Sequence, residues 1–165
     1  MATRTAPSGN RPRLLLVEPT RRRQMTLFAA ATPLADVDIV ETFASARARV
    51  NDERFNLVVA NLRLGAFNGI HLAYVVHLTG SPTHVLVHTD SRDIASAGDI
   101  QRAGALYERT ERLVVALPAY IVGALPPRDR RDPLRSDRRR NARGGRRAWD
   151  RRAPDDDADR ADTSI

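Results

Sequence analysis

Phe55-Asn56-Leu57-Val58-Val59-Ala60-Asn61 sets four aliphatic residues in a row and then stops on an amide. Residues 55–60 are expected to form a strand. The lack of polar alternation over 57–60 suits a strand covered on both faces of a sheet. Leu14-Leu15-Leu16-Val17 upstream and His84-Val85-Leu86-Val87-His88 downstream have the same character. Val37-Asp38-Ile39-Val40 alternates and reads as a half-buried strand, and Ala105-Leu106-Tyr107 as a short fifth one.

Helical segments separate these runs. Glu18-Pro19-Thr20 ends the first strand, and Thr20 is placed to cap a helix over 21–29. Residues 43–50 form a short helix rich in Ala and Arg. Asn68-Gly69 closes the loop after the third strand, and Ile70, Ala73, Tyr74 and His77 then recur at helical spacing. Pro82 marks a turn. Residues 90–103 read as a weakly amphipathic helix that Gly104 breaks. Leu113, Val114, Leu117, Ile121 and Val122 favour a last helix, with Pro118 a candidate kink; Gly123 and Pro126-Pro127 stop it.

Strands alternating with helices predict a parallel sheet covered on both faces. Five such units over 12–124 suit an α/β doubly wound, flavodoxin-like fold with strand order 2-1-3-4-5. The site of such a sheet lies beyond the carboxyl ends of its strands, near the switch between strands 1 and 3. Glu18, Pro19, Asn61, Thr89 and the segment after Tyr107 fall there.

Charge divides the chain differently. Residues 1–126 hold 14 Arg and 11 acids, a net of +3. Residues 127–152 hold 12 Arg and 4 Asp, a net of +8, and residues 153–165 carry a net of −4. With few apolar side chains to offset the entropy of ordering, 125–165 is expected to be a disordered tail, and 1–11 a flexible N-terminus. The chain has no Cys, which excludes disulfides and thiolate chemistry. It has no apolar run long enough to span a membrane. Residues 1–13 lack the apolar core of a secretion signal, so a cytoplasmic location is expected.

The segments Leu14-Leu15-Leu16-Val17-Glu18, Asn61-Leu62-Arg63-Leu64-Gly65-Ala66-Phe67-Asn68-Gly69, Val85-Leu86-Val87-His88-Thr89 and Gly104-Ala105-Leu106-Tyr107 carry a resemblance. In order and spacing they resemble the CheY-like receiver domain of bacterial two-component response regulators, over about 12–124. The resemblance implies an acidic pair after strand 1, a phosphoacceptor Asp after strand 3, a Ser or Thr after strand 4 and a Lys after strand 5. Here those positions hold Glu18 and Pro19, then Asn61, then Thr89, then Arg109. Thr110 stands about where the family has a Pro. Tyr107 matches the family's aromatic switch position.

These exchanges oppose phosphotransfer. The reaction needs a nucleophilic oxygen and a divalent cation to neutralise the transferring group. Magnesium favours a tight shell of hard oxygens, carboxylates among them. Pro19 offers no ligand and Asn61 only a neutral amide oxygen, so neither magnesium nor any other cofactor is expected. No residue is assigned a catalytic role, and the chain is not expected to be an enzyme. The resemblance instead implies a pseudo-receiver acting through protein contacts in bacterial two-component or related regulation. Asn61 either holds one conformation by bonding to Thr89 or Arg109 or is a drifted polar residue with no signalling task. Thr89 is either a switch hydroxyl or a local cap. Arg109 is either an anion contact or a partner of Glu108 or Glu111.

By the same resemblance, a protein partner, such as a histidine kinase, an output protein or a second copy, would meet the surface over 93–122, with Tyr107, Leu113, Val114 and Leu117 as candidate contacts. The alternative function is a nucleic-acid-binding accessory protein. In that reading the tail contacts phosphates through Arg138, Arg139, Arg140, Arg146 and Arg147, with Trp149 its only aromatic. The four His do not form a metal motif, since His84 and His88 sit on a strand with no Glu or Cys to assist. Ser91 near His88 and Asp90 lacks the elbow of a hydrolase. The Gly65–Gly69 loop lacks the spacing and the Lys of a phosphate cradle.

Overall fold

In chain order the elements are β1 (Arg13–Val17), α1 (Arg21–Ala31), β2 (Asp36–Val40), α2 (Phe43–Asp52), β3 (Leu57–Asn61), β4 (Arg63–Leu64), β5 (Phe67–Asn68), α3 (Gly69–Leu78), β6 (His84–Thr89), α4 (Ile94–Arg102), β7 (Leu106–Arg109) and α5 (Thr110–Val122). The computed structural model describes residues 11–90 and 94–126, with only the backbone at 94 and 95. The expectations for most of the N-terminus, for Ser91, and for the tail from 127, Arg138 to Arg147 and Trp149 included, lie outside the described residues.

The five long strands form one parallel sheet in the order β2-β1-β3-β6-β7. This is the doubly wound order expected from the sequence. Strand parity sorts the core into two layers. Leu15, Val17, Val58, Ala60, Val85 and Val87 pack with α2, α3 and α4. Leu14, Leu16, Val59 and Leu86 pack on the other face with Leu27 and Ala31 of α1 and Leu113 and Leu117 of α5. At the amino end of the strands, Arg13 reaches Asp38 at 2.8 Å and Glu53 at 2.6 Å, tying β1 to β2 and to the end of α2.

Several boundaries differ from the sequence reading, each for a local reason. β3 begins at Leu57 and includes Asn61, because Asn61 pairs in register with His88. β7 extends to Arg109, which pairs with Thr89. α5 already begins at Thr110 and runs through Pro118 to Val122. Thr20 holds the N-cap position of α1 but makes no side-chain cap bond. The hairpin β4–β5 was not anticipated; Gly65 turns it with a φ of 76°.

Leu113 and Leu117 require a correction as contact residues. Both are fully buried, because helical spacing turns them onto the sheet. The large apolar side chains that α5 exposes are Val114, Val115 and Val122. Tyr107 is half-buried and packs on the α2–α3–α4 side of the sheet.

The start of α3 fixes the loop that follows Asn61. The Asn68 side chain accepts from the His71 N–H, and His71 Nδ1 accepts from the Asn68 N–H. This reciprocal cap satisfies donors that a helix start otherwise leaves unpaired. Gly69 N–H donates to the Leu62 carbonyl at 3.0 Å, folding the loop back on itself. A Cβ at Gly69 would stand 2.8 Å from the Asn61 carbonyl oxygen and 3.0 Å from Val87 Cγ1. Gly69→Ala is therefore expected to destabilise the domain by about 1–3 kcal/mol despite the better helix propensity of Ala. Urea unfolding of the two chains measures this.

Candidate functional site

Strand parity builds a polar row at the carboxyl end of the sheet. Glu18, Asn61, His88 and Glu108 lie two residues beyond Leu16, Val59, Leu86 and Leu106, so they share the face covered by α1 and α5. All four are buried, with Glu18 and His88 at 0% exposure. An ionised carboxylate removed from water needs donors around it. The Thr20 N–H donates to Glu18 Oε1 at 2.9 Å. Asn61 Nδ2 donates to Glu18 Oε2 at 2.9 Å. Arg23 Nη1 stands 3.8 Å from Oε1, and the same guanidinium reaches Asp90 Oδ2 at 2.7 Å. Gln24, also buried, donates to the Glu18 carbonyl at 2.7 Å.

The orientation of the Asn61 amide is set by its two partners. Its Oδ1 accepts from the Arg63 N–H at 2.8 Å, which leaves Nδ2 to face Glu18. Asn61 was expected to bond Thr89 or Arg109; it bonds Glu18 instead. The reason is parity, since Thr89 follows Val87 toward the other face of the sheet. Arg109 ion-pairs with Glu111, and its N–H bonds Glu108 Oε1. Thr110 is the residue at this strand end that reaches the row, with its hydroxyl 3.0 Å from His88 Nδ1. Pro19 is exposed and contributes no polar side chain.

His88 was considered in the sequence only as part of a metal motif. Its signal was present: it ends an apolar strand in phase with Leu86. Nε2 lies 3.4 Å from Glu18 Oε2 without forming a hydrogen bond. Burial pushes its pKa down from 6.5 to about 4, and Arg23 acts in the same direction; Glu18 and Asp90 oppose it. The imidazole is therefore neutral at pH 7.

The donor set does not fit magnesium. Both Glu18 oxygens already face N–H donors, and the Asn61 oxygen is taken by Arg63. Among the described residues no group of three or more His, Asp or Glu is arranged to hold a metal. A cavity of about 340 Å³ opens beside the row between α1 and α5, lined by Thr20, Arg22, Arg23, Leu27, Thr110 and Val114. Its lining carries Arg22 and Arg23 and no carboxylate. No described helix is long and apolar enough to cross a membrane.

No family model and no curated protein sequence matches the chain. Solved structures do. DrrB of Thermotoga maritima, an OmpR/PhoB homologue and response regulator, is 19% identical with a TM-score of 0.60 over 67% of this chain and 52% of that one. A CheY-like receiver domain protein from Methanospirillum hungatei is 18% identical with a TM-score of 0.60, over 68% and 94%. The chemotaxis protein CheY4 of Vibrio cholerae is 17% identical with a TM-score of 0.58, over 68% and 99%. The chain thus spans about half the length of DrrB and nearly all of the smaller proteins. At these identities the likeness establishes the fold: that of a response-regulator receiver domain.

Two stability measurements test the site. The unfolded chain protonates His88 near pH 6.5, whereas the folded chain resists until about pH 4. The stability contributed by neutral His88 is therefore complete above pH 6.5 and declines as pH falls toward 4, by as much as about 3 kcal/mol. His88→Gln is expected to flatten the dependence of the urea midpoint on pH across that window. Separately, Asn61→Asp replaces a donor facing Glu18 with a second carboxylate. It is expected to cost about 3 kcal/mol at pH 7, and added magnesium should restore part of the loss in melting temperature.

Proposed function

We propose that this chain is a degenerate, phosphorylation-independent receiver: a signalling module of two-component or related regulation that acts by protein contact and is not an enzyme. The observation that carries this reading is the 2.9 Å bond from Asn61 Nδ2 to Glu18 Oε2. A phosphoacceptor must present a free carboxylate oxygen, and it needs a cation to neutralise the incoming group. Asn61 presents a nitrogen donor that is already engaged. The same bond puts a donor where a second carboxylate would repel Glu18, so the Glu18 oxygen is satisfied without a metal. A histidine kinase or an output protein is the class of partner that suits such a module. The net charge of +8 over 127–152 favours one second reading, nucleic-acid binding through the tail. Removal of 127–165 separates that from protein binding by the folded domain.

Titration with magnesium and beryllofluoride, followed by amide chemical shifts, tests the main reading. The full-length chain is expected not to respond. A variant carrying Asn61→Asp and Pro19→Asp is expected to respond at Glu18 and at the two new carboxylates. A saturable response of the native chain centred on Glu18, Asn61 and Thr89 would overturn the proposal.

A further inference from the structure

Glu18 is shut off from water, and among the described residues only Arg23 and His88 bring a basic group within ion-pair distance of it. His88 is neutral at pH 7, so Arg23 supplies the formal positive charge. The Thr20 N–H and the Asn61 amide contribute dipoles. The same guanidinium serves a second carboxylate: Nη2 reaches Asp90 Oδ2 at 2.7 Å while Nη1 stands 3.8 Å from Glu18 Oε1. Helix physics alone does not favour this residue. Arg21, Arg22 and Arg23 fill the first turn of α1 with no acid among them, and the positive end of a helix dipole disfavours cations. Arg21 and Arg22 lie exposed, whereas Arg23 is half-buried against the two carboxylates.

We propose that Arg23 is the resident counter-cation of this site: it supplies from the chain itself the charge that neighbouring carboxylates otherwise take from a divalent cation, and it pins Asp90, the residue after β6, to α1. This rests on the reading of the chain as a phosphorylation-independent receiver and names the residue that makes the site independent of a metal. A bound metal ion exchanges with solvent. A guanidinium is tethered, keeps its charge at any ordinary pH, and offers N–H donors in a fixed plane. Without it, Glu18 and Asp90 would be left as like charges with nothing between them, and a buried charge without a partner is costly. The group placed to take over is His88. Its Nε2 is buried, lacks a hydrogen-bond partner, and lies 3.4 Å from Glu18 Oε2. With Arg23 present a proton there is not needed; with Arg23 removed, an imidazolium becomes the counter-ion. The charged groups acting on His88 are Glu18, Arg23 and Asp90. Glu108, in register on β7, is engaged by Tyr120 and the Arg109 N–H, and α5 offers the Thr110 hydroxyl.

Imidazole proton NMR of the full-length chain tests this, with His88 assigned by its absence in His88→Gln. The variants are Arg23→Met, which keeps length and helix propensity but removes the charge, and Arg23→Lys, which keeps the charge. In Arg23→Met the His88 titration is expected to move up from about 4 by about one pH unit, tenfold in proton affinity. In Arg23→Lys it should stay near its native position. Arg23→Met should also melt at a lower temperature at pH 7, and Arg23→Lys should recover most of that loss. Arg23→Met that does not fold beside Arg23→Lys that does supports the proposal equally, since only charge separates them. A His88 titration left in place by Arg23→Met, one moved as far by Arg23→Lys, or failure of both variants to fold would overturn it. None of these outcomes touches the reading of the chain as phosphorylation-independent, which falls only if the native chain itself responds to magnesium and beryllofluoride.

Discussion

The bond between the Asn61 amide and the buried Glu18 carboxylate is the constraint around which the carboxyl end of the sheet is arranged. Glu18 has no contact with water, so its charge must be met from within. The first N–H of the turn into α1 meets one oxygen, and the last residue of β3 meets the other. Gln24, one turn into α1, holds the Glu18 carbonyl and so ties the helix to the strand end. Arg23 stands near the same carboxylate and joins it to Asp90 after β6. One carboxylate thus draws together β1, α1, β3 and the end of β6.

An amide facing a buried carboxylate differs electrostatically from a second acid at the same position. Two carboxylates facing each other in a buried place repel, and their free energy depends on what stands between them: a proton, a cation or nothing. That dependence makes such a pair responsive to ligands. An amide and a carboxylate attract in every condition where the carboxylate is ionised. The neutral His88 beside them adds no charge for an anion to seek.

Much of the architecture was legible because burial on both faces leaves a plain trace. Leu14 to Val17, Leu57 to Ala60 and Val85 to Val87 cannot be other than central strands once helices separate them. The amide at Asn61 was equally plain, since the identity of a residue at a strand end is read directly from the sequence. Its partner was not legible. Which side chain it meets depends on parity, and the expected strand end at Ala60 left Asn61 outside the sheet. With Asn61 inside β3, it faces Glu18 while Thr89 turns the other way. The strand after Gly104 shows the same sensitivity: a register difference of one residue decides that Thr110, not Arg109, reaches His88. Leu113 and Leu117 look alike as core or contact residues until α1 is packed beside them.

The distribution of charge carries information that periodicity does not. Charged side chains outside the site occupy α1, α2, α4, α5 and the segment after them, while the run from Leu64 to Thr89 has none. Much of that run is interior and needs no charge: β6 lies between β3 and β7 in the sheet, and Leu72, Ala73 and Val76 face the core. Burial cannot account for Phe67, Tyr74 and Leu78, which face outward. Isolated apolar side chains on a surface need no explanation. Tyr74 and Leu78 lie on a helix that carries no Asp, Glu, Lys or Arg, and Phe67 lies on the hairpin just before it.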